Sequence, residues 1–165
     1  MDRGEIISET LLMLGENDVY NDNKSDMYEI CEKMLDSVIS NIATSSAFLF
    51  NAITVKLTTV GQVDGENKFN LPIDCLNVLR CNKNYRLENE FIYSSESEIK
   101  IQYCRKIDFT EIPDNLFNLI VAMTGRKMAL AVNTYNSRLE ILEAEVTRLK
   151  NNIIAQQGFQ FWEEE

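Results

Sequence analysis

Histidine is missing from this chain altogether. The commonest general base is therefore gone, which excludes triad hydrolases of the usual kind. A zinc site built from Cys and His needs closely spaced ligand pairs, but Cys31, Cys75, Cys81 and Cys104 contain no C-x-x-C. Each cysteine has apolar neighbours, so four reduced, partly buried thiols are expected and no metal ligand is assigned. No Walker loop, G-x-G-x-x-G, G-x-S-x-G or H-E-x-x-H occurs, so no cofactor and no catalytic residue is expected. A run of about 18 apolar residues is also missing, which predicts no membrane span. The opening Met1-Asp2-Arg3-Gly4-Glu5 is acidic and leads into an amphipathic segment, unlike a signal peptide; folding in a cytosol is expected. Positive charge is scarce as well, with 16 bases against 26 acids and a net charge of −10. Residues 1–40 carry 10 acids and 3 bases, while residues 41–110 carry 8 of each. Binding to duplex DNA requires a basic face, so sequence-specific nucleic-acid recognition is not expected.

What is present is enough apolar material, 45% of 165 residues, for one ordinary core. Ile6, Ile7, Leu11 and Leu14 share one helical face within residues 5–14, and Gly15 is the expected stop. A polar loop from Glu16 to Lys24 leads to Ser25 as the N-cap of a second helix. On that helix Met27, Ile30, Cys31, Met34, Leu35, Val38 and Ile42 recur every three or four residues, opposite an acidic back. Near Ala47 the period changes. Ile53, Val55, Leu57 and Thr59 alternate with Thr54, Lys56 and Thr58, as in a half-buried strand. Gly61 to Lys68 reads as a turn centred on Asp64-Gly65. Val78–Cys81, Tyr85–Leu87, Phe91–Tyr93 and Glu98–Cys104 are further strands, the middle two a hairpin over Glu88-Asn89-Glu90. Their short connections predict one small antiparallel sheet of roughly four or five strands.

Helical signals return at Pro113, with Asp114 as the expected cap. Leu116, Phe117, Leu119, Ile120, Met123, Met128, Leu130 and Ala131 make the helix 116–132 apolar around much of its circumference. It needs partners on several sides, from its own domain or from an adjacent subunit. Asn133 to Asn136 reads as a short connection, and Ser137-Arg138-Leu139-Glu140 as a capping box. Leu139, Leu142, Val146, Leu149 and Ile153 form the seam of an antiparallel helical hairpin, which Gly158 ends. Phe159, Phe161 and Trp162 follow, then three glutamates. These aromatics either fold back onto their own hairpin or anchor in a groove on a neighbouring subunit. The fold class is α+β and helix-dominated: N-terminal helices, a small antiparallel β-sheet insertion, and a C-terminal antiparallel helical hairpin with an extended C-terminal arm.

One enzymatic reading is open to the residues. Asp74 with Glu98-Ile99-Lys100 would suit a Mg-dependent nuclease if neighbouring strands brought the carboxylates and the lysine together. Solvated strand charge is the plainer reading of the same residues.

The order of motifs resembles a known family, the phage head-to-tail adaptors (connectors), especially the tail tubular protein A subunits of short-tailed phages. Met34-Leu35-Asp36-Ser37-Val38 on a long helix leads to Phe48-Leu49-Phe50. Phe69-Asn70-Leu71-Pro72-Ile73-Asp74 is similar to that family's aromatic-x-Leu-Pro-x-Asp motif and runs on through Val78-Leu79-Arg80. Tyr85 to Asn89, Phe91 to Tyr93, Ile99 to Tyr103, Ile112 to Phe117 and Lys127 to Ala131 follow in order, then the last helix with Leu139, Ala144 and Gln156-Gln157. The likeness covers roughly residues 5–157. It implies a single adaptor domain at 1–157, with a helical part at 5–45 and 114–157, a β part at 50–105, and an arm at 158–165. It also implies a structural virion protein: a homo-oligomeric ring, commonly of 12 copies, between the portal protein and the tail nozzle or tail tube protein. Genomic DNA would pass through its channel without sequence-specific binding, and no membrane would be involved. The virion head-tail interface, and the host cytoplasm during assembly, are the implied locations. Phe159, Phe161 and Trp162 would bind the portal or a neighbouring subunit. The alternative is another soluble oligomeric phage-type interaction module, a regulator or chaperone.

Overall fold

The structure, a computed structural model, describes residues 2–16 and 26–156. Among these residues the fold is helix-dominated α+β, with 51% in helices and 26% in strands, as the periodicities predict. The chain divides into two compact units. The first is built from residues up to Ile42 and from Asp108 onward, and the second from Ala43–Ile107.

The helical unit opens with α1 (Arg3–Leu14), whose first turn is capped when the Gly4 backbone N–H donates to the Asp2 carboxylate at 3.2 Å. Ile6, Ile7, Leu11 and Leu14 are buried together, the predicted stripe. Gly15 stops the helix at φ +92°, where its N–H donates to Leu12 O and the N–H of Glu16 to Leu11 O, both at 2.9 Å. That pair of bonds is the Schellman closure, which a residue with a Cβ enters only under strain. The Arg138 guanidinium donates to Met13 O at the same helix end, where a cation suits the dipole.

α2 (Asp26–Thr44) buries Cys31, Leu35, Val38 and Ile42 and exposes Asp26, Glu29, Glu32 and Asp36. The acidic back is therefore a solvent face. Ser25, its expected cap, and the loop after Glu16 lie outside the described residues. Burial pushes the Cys31 thiol up to about 12, only partly offset by the Thr10 hydroxyl beside it; this is an inert packing thiol.

α3 (Phe117–Ala131) and α4 (Leu139–Gln156) form the C-terminal hairpin. Leu119, Ile120, Val121, Ala122, Met128 and Ala129 are buried on α3, and Leu142, Val146 and Ile153 on α4. Three expectations are corrected here. Asp114 does not cap α3; it opens a 3-10 turn (Asp114–Leu116) behind Pro113, and Leu116 holds the N-cap position. Ser137 lies inside a 3-10 stretch (Asn133–Arg138) that leads straight into α4, in place of a capping box with Glu140. Leu130 and Ala131, counted with the apolar surface of α3, are exposed at its last turn. A box-like contact occurs elsewhere: the Asp108 N–H donates to Glu111 Oε2 at 2.8 Å.

Gly125 sits mid-helix on α3 where α1 and α4 come close. A Cβ there would lie 3.5 Å from Leu142 Cδ2 and 3.7 Å from Met13 Sδ, ordinary packing distances. Gly125→Ala is therefore expected to raise stability by about 0.5–1 kcal/mol by removing unfolded-chain entropy. Gly15→Ala should lower it by roughly 1–2 kcal/mol, since the left-handed conformation penalises a Cβ. Urea midpoints of the two variants should move in opposite directions.

The β unit holds seven strands: β1 (Ala52–Thr58), β2 (Gly61–Val63), β3 (Glu66–Asn70), β4 (Cys75–Cys81), β5 (Arg86–Glu88), β6 (Phe91–Ser94) and β7 (Glu98–Arg105). They form two antiparallel sheets, ordered β1-β7-β4 and β2-β3-β6-β5, which corrects the single sheet of four or five. The miscount arises at residues 61–68. Asp64 (φ 53°) and Gly65 (φ 84°) make a two-residue turn with positive φ at both places, the hairpin geometry whose twist matches the flanking strands. The predicted turn is thus a whole hairpin. β2 is exposed throughout, so no apolar alternation marks it.

Ile53, Val55 and Leu57 on β1 stand opposite Tyr103, Ile101 and Ile99 on β7, and Phe69 stands opposite Ile92 across β3 and β6. Phe69, Ile92, Ile99, Ile101 and Tyr103 make one core shared by both sheets, with Leu71, Cys75, Val78 and Cys81 packed against it. At the entrance of the unit, the buried Asn51 side-chain amide donates to Ala43 O at 2.8 Å and to Arg105 O at 2.9 Å. It joins the last turn of α2 to the end of β7.

Candidate functional site

The constellation that could have done chemistry does not assemble. Side chains alternate across β7: Ile99, Ile101 and Tyr103 are buried, whereas Glu98 is exposed and Lys100 shares its side of the strand. Asp74 belongs to the Tyr103 side, accepting the Tyr103 hydroxyl at 3.0 Å. Glu98 and Tyr103 are separated by about 16 Å of strand at about 3.3 Å per residue. Glu98 instead bonds Lys56 on β1 at 2.6 Å. Glu98 and Lys100 share one side of β7, whereas Asp74 lies against its opposite side and towards its other end. Among the described residues no group of three or more Cys, Asp or Glu could hold a metal ion.

Asp74 has a structural task. Burial, then its hydrogen bond to Asp74, push Tyr103 up to about 12 from an ordinary 10.0. A raised phenol pKa means the folded state holds that proton more tightly. The resulting stability is complete below pH 10 and is lost as pH rises from there towards 12. Tyr103→Phe should therefore flatten the stability-versus-pH curve in that alkaline window and leave its shape below pH 9 unchanged, as read by denaturant titrations across pH.

The remaining candidates are surfaces. In the β unit, Leu71-Pro72-Ile73-Asp74-Cys75 bends back on itself, with the Cys75 N–H donating to Pro72 O at 2.9 Å. The motif residues face three ways. Phe69 is the largest fully buried side chain, Leu71 packs against the same core, and Ile73 at the tip is wholly exposed at 106%. A hollow of about 600 Å³ beside the tip is lined by Leu71, Pro72, Leu76, Leu87 and Phe91, among others. Leu76 and Leu87 are themselves exposed, and Asn70, Asn77, Asn89 and Glu90 line the same hollow, so exposed aliphatic side chains stand beside the tip within a mixed surface.

In the helical unit, a groove of about 770 Å³ runs along α4. Met13, Ile141, Leu142 and Ala144 line it, with Arg138, Glu145 and Arg148 at its edges. Ile141 is 71% exposed although it occupies a helix position next to buried Leu142. Arg148 is held by two bonds to Glu145, at 2.8 and 2.6 Å.

Phe159, Phe161 and Trp162, the residues singled out from the sequence, lie outside the described residues. Ile73 and Ile141 were missed. Ile141 lies off the predicted seam of Leu139, Leu142, Val146, Leu149 and Ile153, and Ile73, with apolar Leu71, Pro72, Cys75 and Leu76 around it, carried no signal of exposure. Among family models no match to this chain is found, and among curated proteins none is significantly similar in sequence.

Proposed function

We propose that this chain is a structural subunit of a phage head-to-tail adaptor ring, seated between portal and tail and lining the DNA exit channel. The observation that carries the reading is Ile73. It projects fully into solvent from the loop that bears the Phe69-x-Leu-Pro-x-Asp74 motif, while Phe69 and Leu71 pack in the core and Asp74 holds Tyr103. An aliphatic side chain displayed at the tip of a fixed turn gains nothing by itself and gains burial energy when another protein covers it. A ring subunit needs unlike faces for its two neighbours, because head-to-tail contacts close only when the rotation closes. The Ile73 patch and the α4 groove, one on each unit, are two such unlike faces. On the exposed acidic stripe of α2, Arg3 pairs with Asp36 at 2.7 Å and Glu32 at 3.9 Å, and the negative charge left by Asp26 and Glu29 suits a wall past which DNA must slide, since like charges do not adhere.

Ile73→Lys should leave stability within about 0.5 kcal/mol, as for an exposed site. It should weaken association with the ring or the portal by at least about tenfold. Mass spectrometry of mature particles is the direct test: the polypeptide is expected among the virion proteins. Its absence from purified virions, or a lasting monomer indifferent to portal in light scattering, rejects the ring and leaves a regulator or chaperone module.

A further inference from the structure

We infer that the α4 groove of one copy receives the C-terminal tail, Phe159 to Glu165, of a second copy. The two surfaces match in chemistry. The groove offers the apolar side chains of Met13, Ile141 and Ala144 over buried Leu142, with two arginines, Arg138 and Arg148, and one acid, Glu145, at its edges. The tail offers Phe159, Phe161 and Trp162 followed by three glutamates, in a chain whose net charge is otherwise negative. Aromatic anchors in an apolar slot, with carboxylates on guanidinium donors at the rim, are the pairing that desolvates best. Arg148 keeps donors beyond the two it gives Glu145, because a guanidinium has five N–H groups.

Reach decides between the chain's own groove and another's. The groove centre, Leu142 to Ala144, lies about 18–21 Å back from Gln156 at about 1.5 Å per residue. Fully extended, Phe159 reaches at most about 11 Å beyond Gln156, short of that centre, Phe161 about 18 Å and Trp162 about 22 Å. Reversing direction consumes part of that span. Phe159 cannot reach the centre of its own groove, so the three aromatics seat together only in a second copy's groove, which is limited by no tether. Tail into groove is a heterologous contact, so repetition builds a ring or a chain. The inference rests on the assembly reading above, from which it takes only the presence of several copies.

Trp162 is the single tryptophan of the chain and reports the contact directly. In the full-length protein its emission should shift to the blue as concentration rises. Ile141→Glu, at an exposed position, should abolish the shift while circular dichroism stays unchanged; Arg148→Glu should weaken the contact by at least about tenfold. Deleting residues 158–165 removes the tryptophan and leaves the groove. Mixing that deletion with Ile141→Glu joins a live groove to a live tail, and the blue shift should return only in the mixture. A shift independent of concentration, a shift in Ile141→Glu alone, or none in wild type and mixture overturns the inference. The ring reading then stands or falls separately, on whether virions contain the polypeptide.

Discussion

Phe69→Ala is expected to be the most damaging single truncation in the β unit, at about 3–5 kcal/mol. Phe69 is fully buried in a core to which its own sheet also contributes Ile92 and the other sheet contributes Ile99, Ile101 and Tyr103. Removing the ring loses its transfer free energy and leaves a void between sheets that β-hydrogen bonding prevents from collapsing. Neighbouring β2 and β5 are three residues each and exposed, so they cannot compensate. Against a typical domain stability of about 5–15 kcal/mol this is a large fraction. For an m-value of about 2 kcal/mol/M the urea midpoint should fall by roughly 2 M. A change under 1 kcal/mol would mean that the two sheets do not share one core.

Asn51→Ala is expected to cost roughly 2–5 kcal/mol, with almost no apolar burial involved. Its amide nitrogen satisfies two carbonyls, Ala43 O and Arg105 O, and the Arg105 N–H returns a bond to Asn51 O at 3.0 Å. Ala43 lies in the last turn of α2, where carbonyls lack partners within the helix. Alanine leaves two acceptors short of a donor, and each buried unsatisfied group costs about 1–3 kcal/mol. Asn51→Asp tests the same geometry. It keeps the size but replaces a donor with a charged acceptor facing two carbonyl oxygens, so it should be at least as harmful. If both variants melt like wild type, water supplies those bonds and Asn51 is not the clasp of the unit.

The stripes of α1, α2 and α4 and the alternation of β1 and β7 were legible because a helix or strand with one buried face repeats its apolar residues at that face's period. β2 was not legible, since an exposed edge strand imposes no such period. The caps at Asp114 and Ser137 failed for another reason. Several residue types can start a helix, and which one does depends on a 3-10 lead-in that packing selects. Asn51 carried no signal in sequence, because its partners lie 8 and 54 residues away.

The candidate sites divide the same way. An acidic chain without histidine already argued for contact surfaces over proton transfer, and the motif around Pro72 was visible as a motif. That Asp74 bonds Tyr103 while Glu98 and Lys100 turn the other way required the strand register. Composition and periodicity are local, and they determined the fold class, the helical stripes and the reduced thiols. Which apolar side chains remain uncovered is a difference between what the chain contains and what packing consumes. Only the tertiary structure could leave Ile73 and Ile141 outside while Phe69 and Leu142 went in.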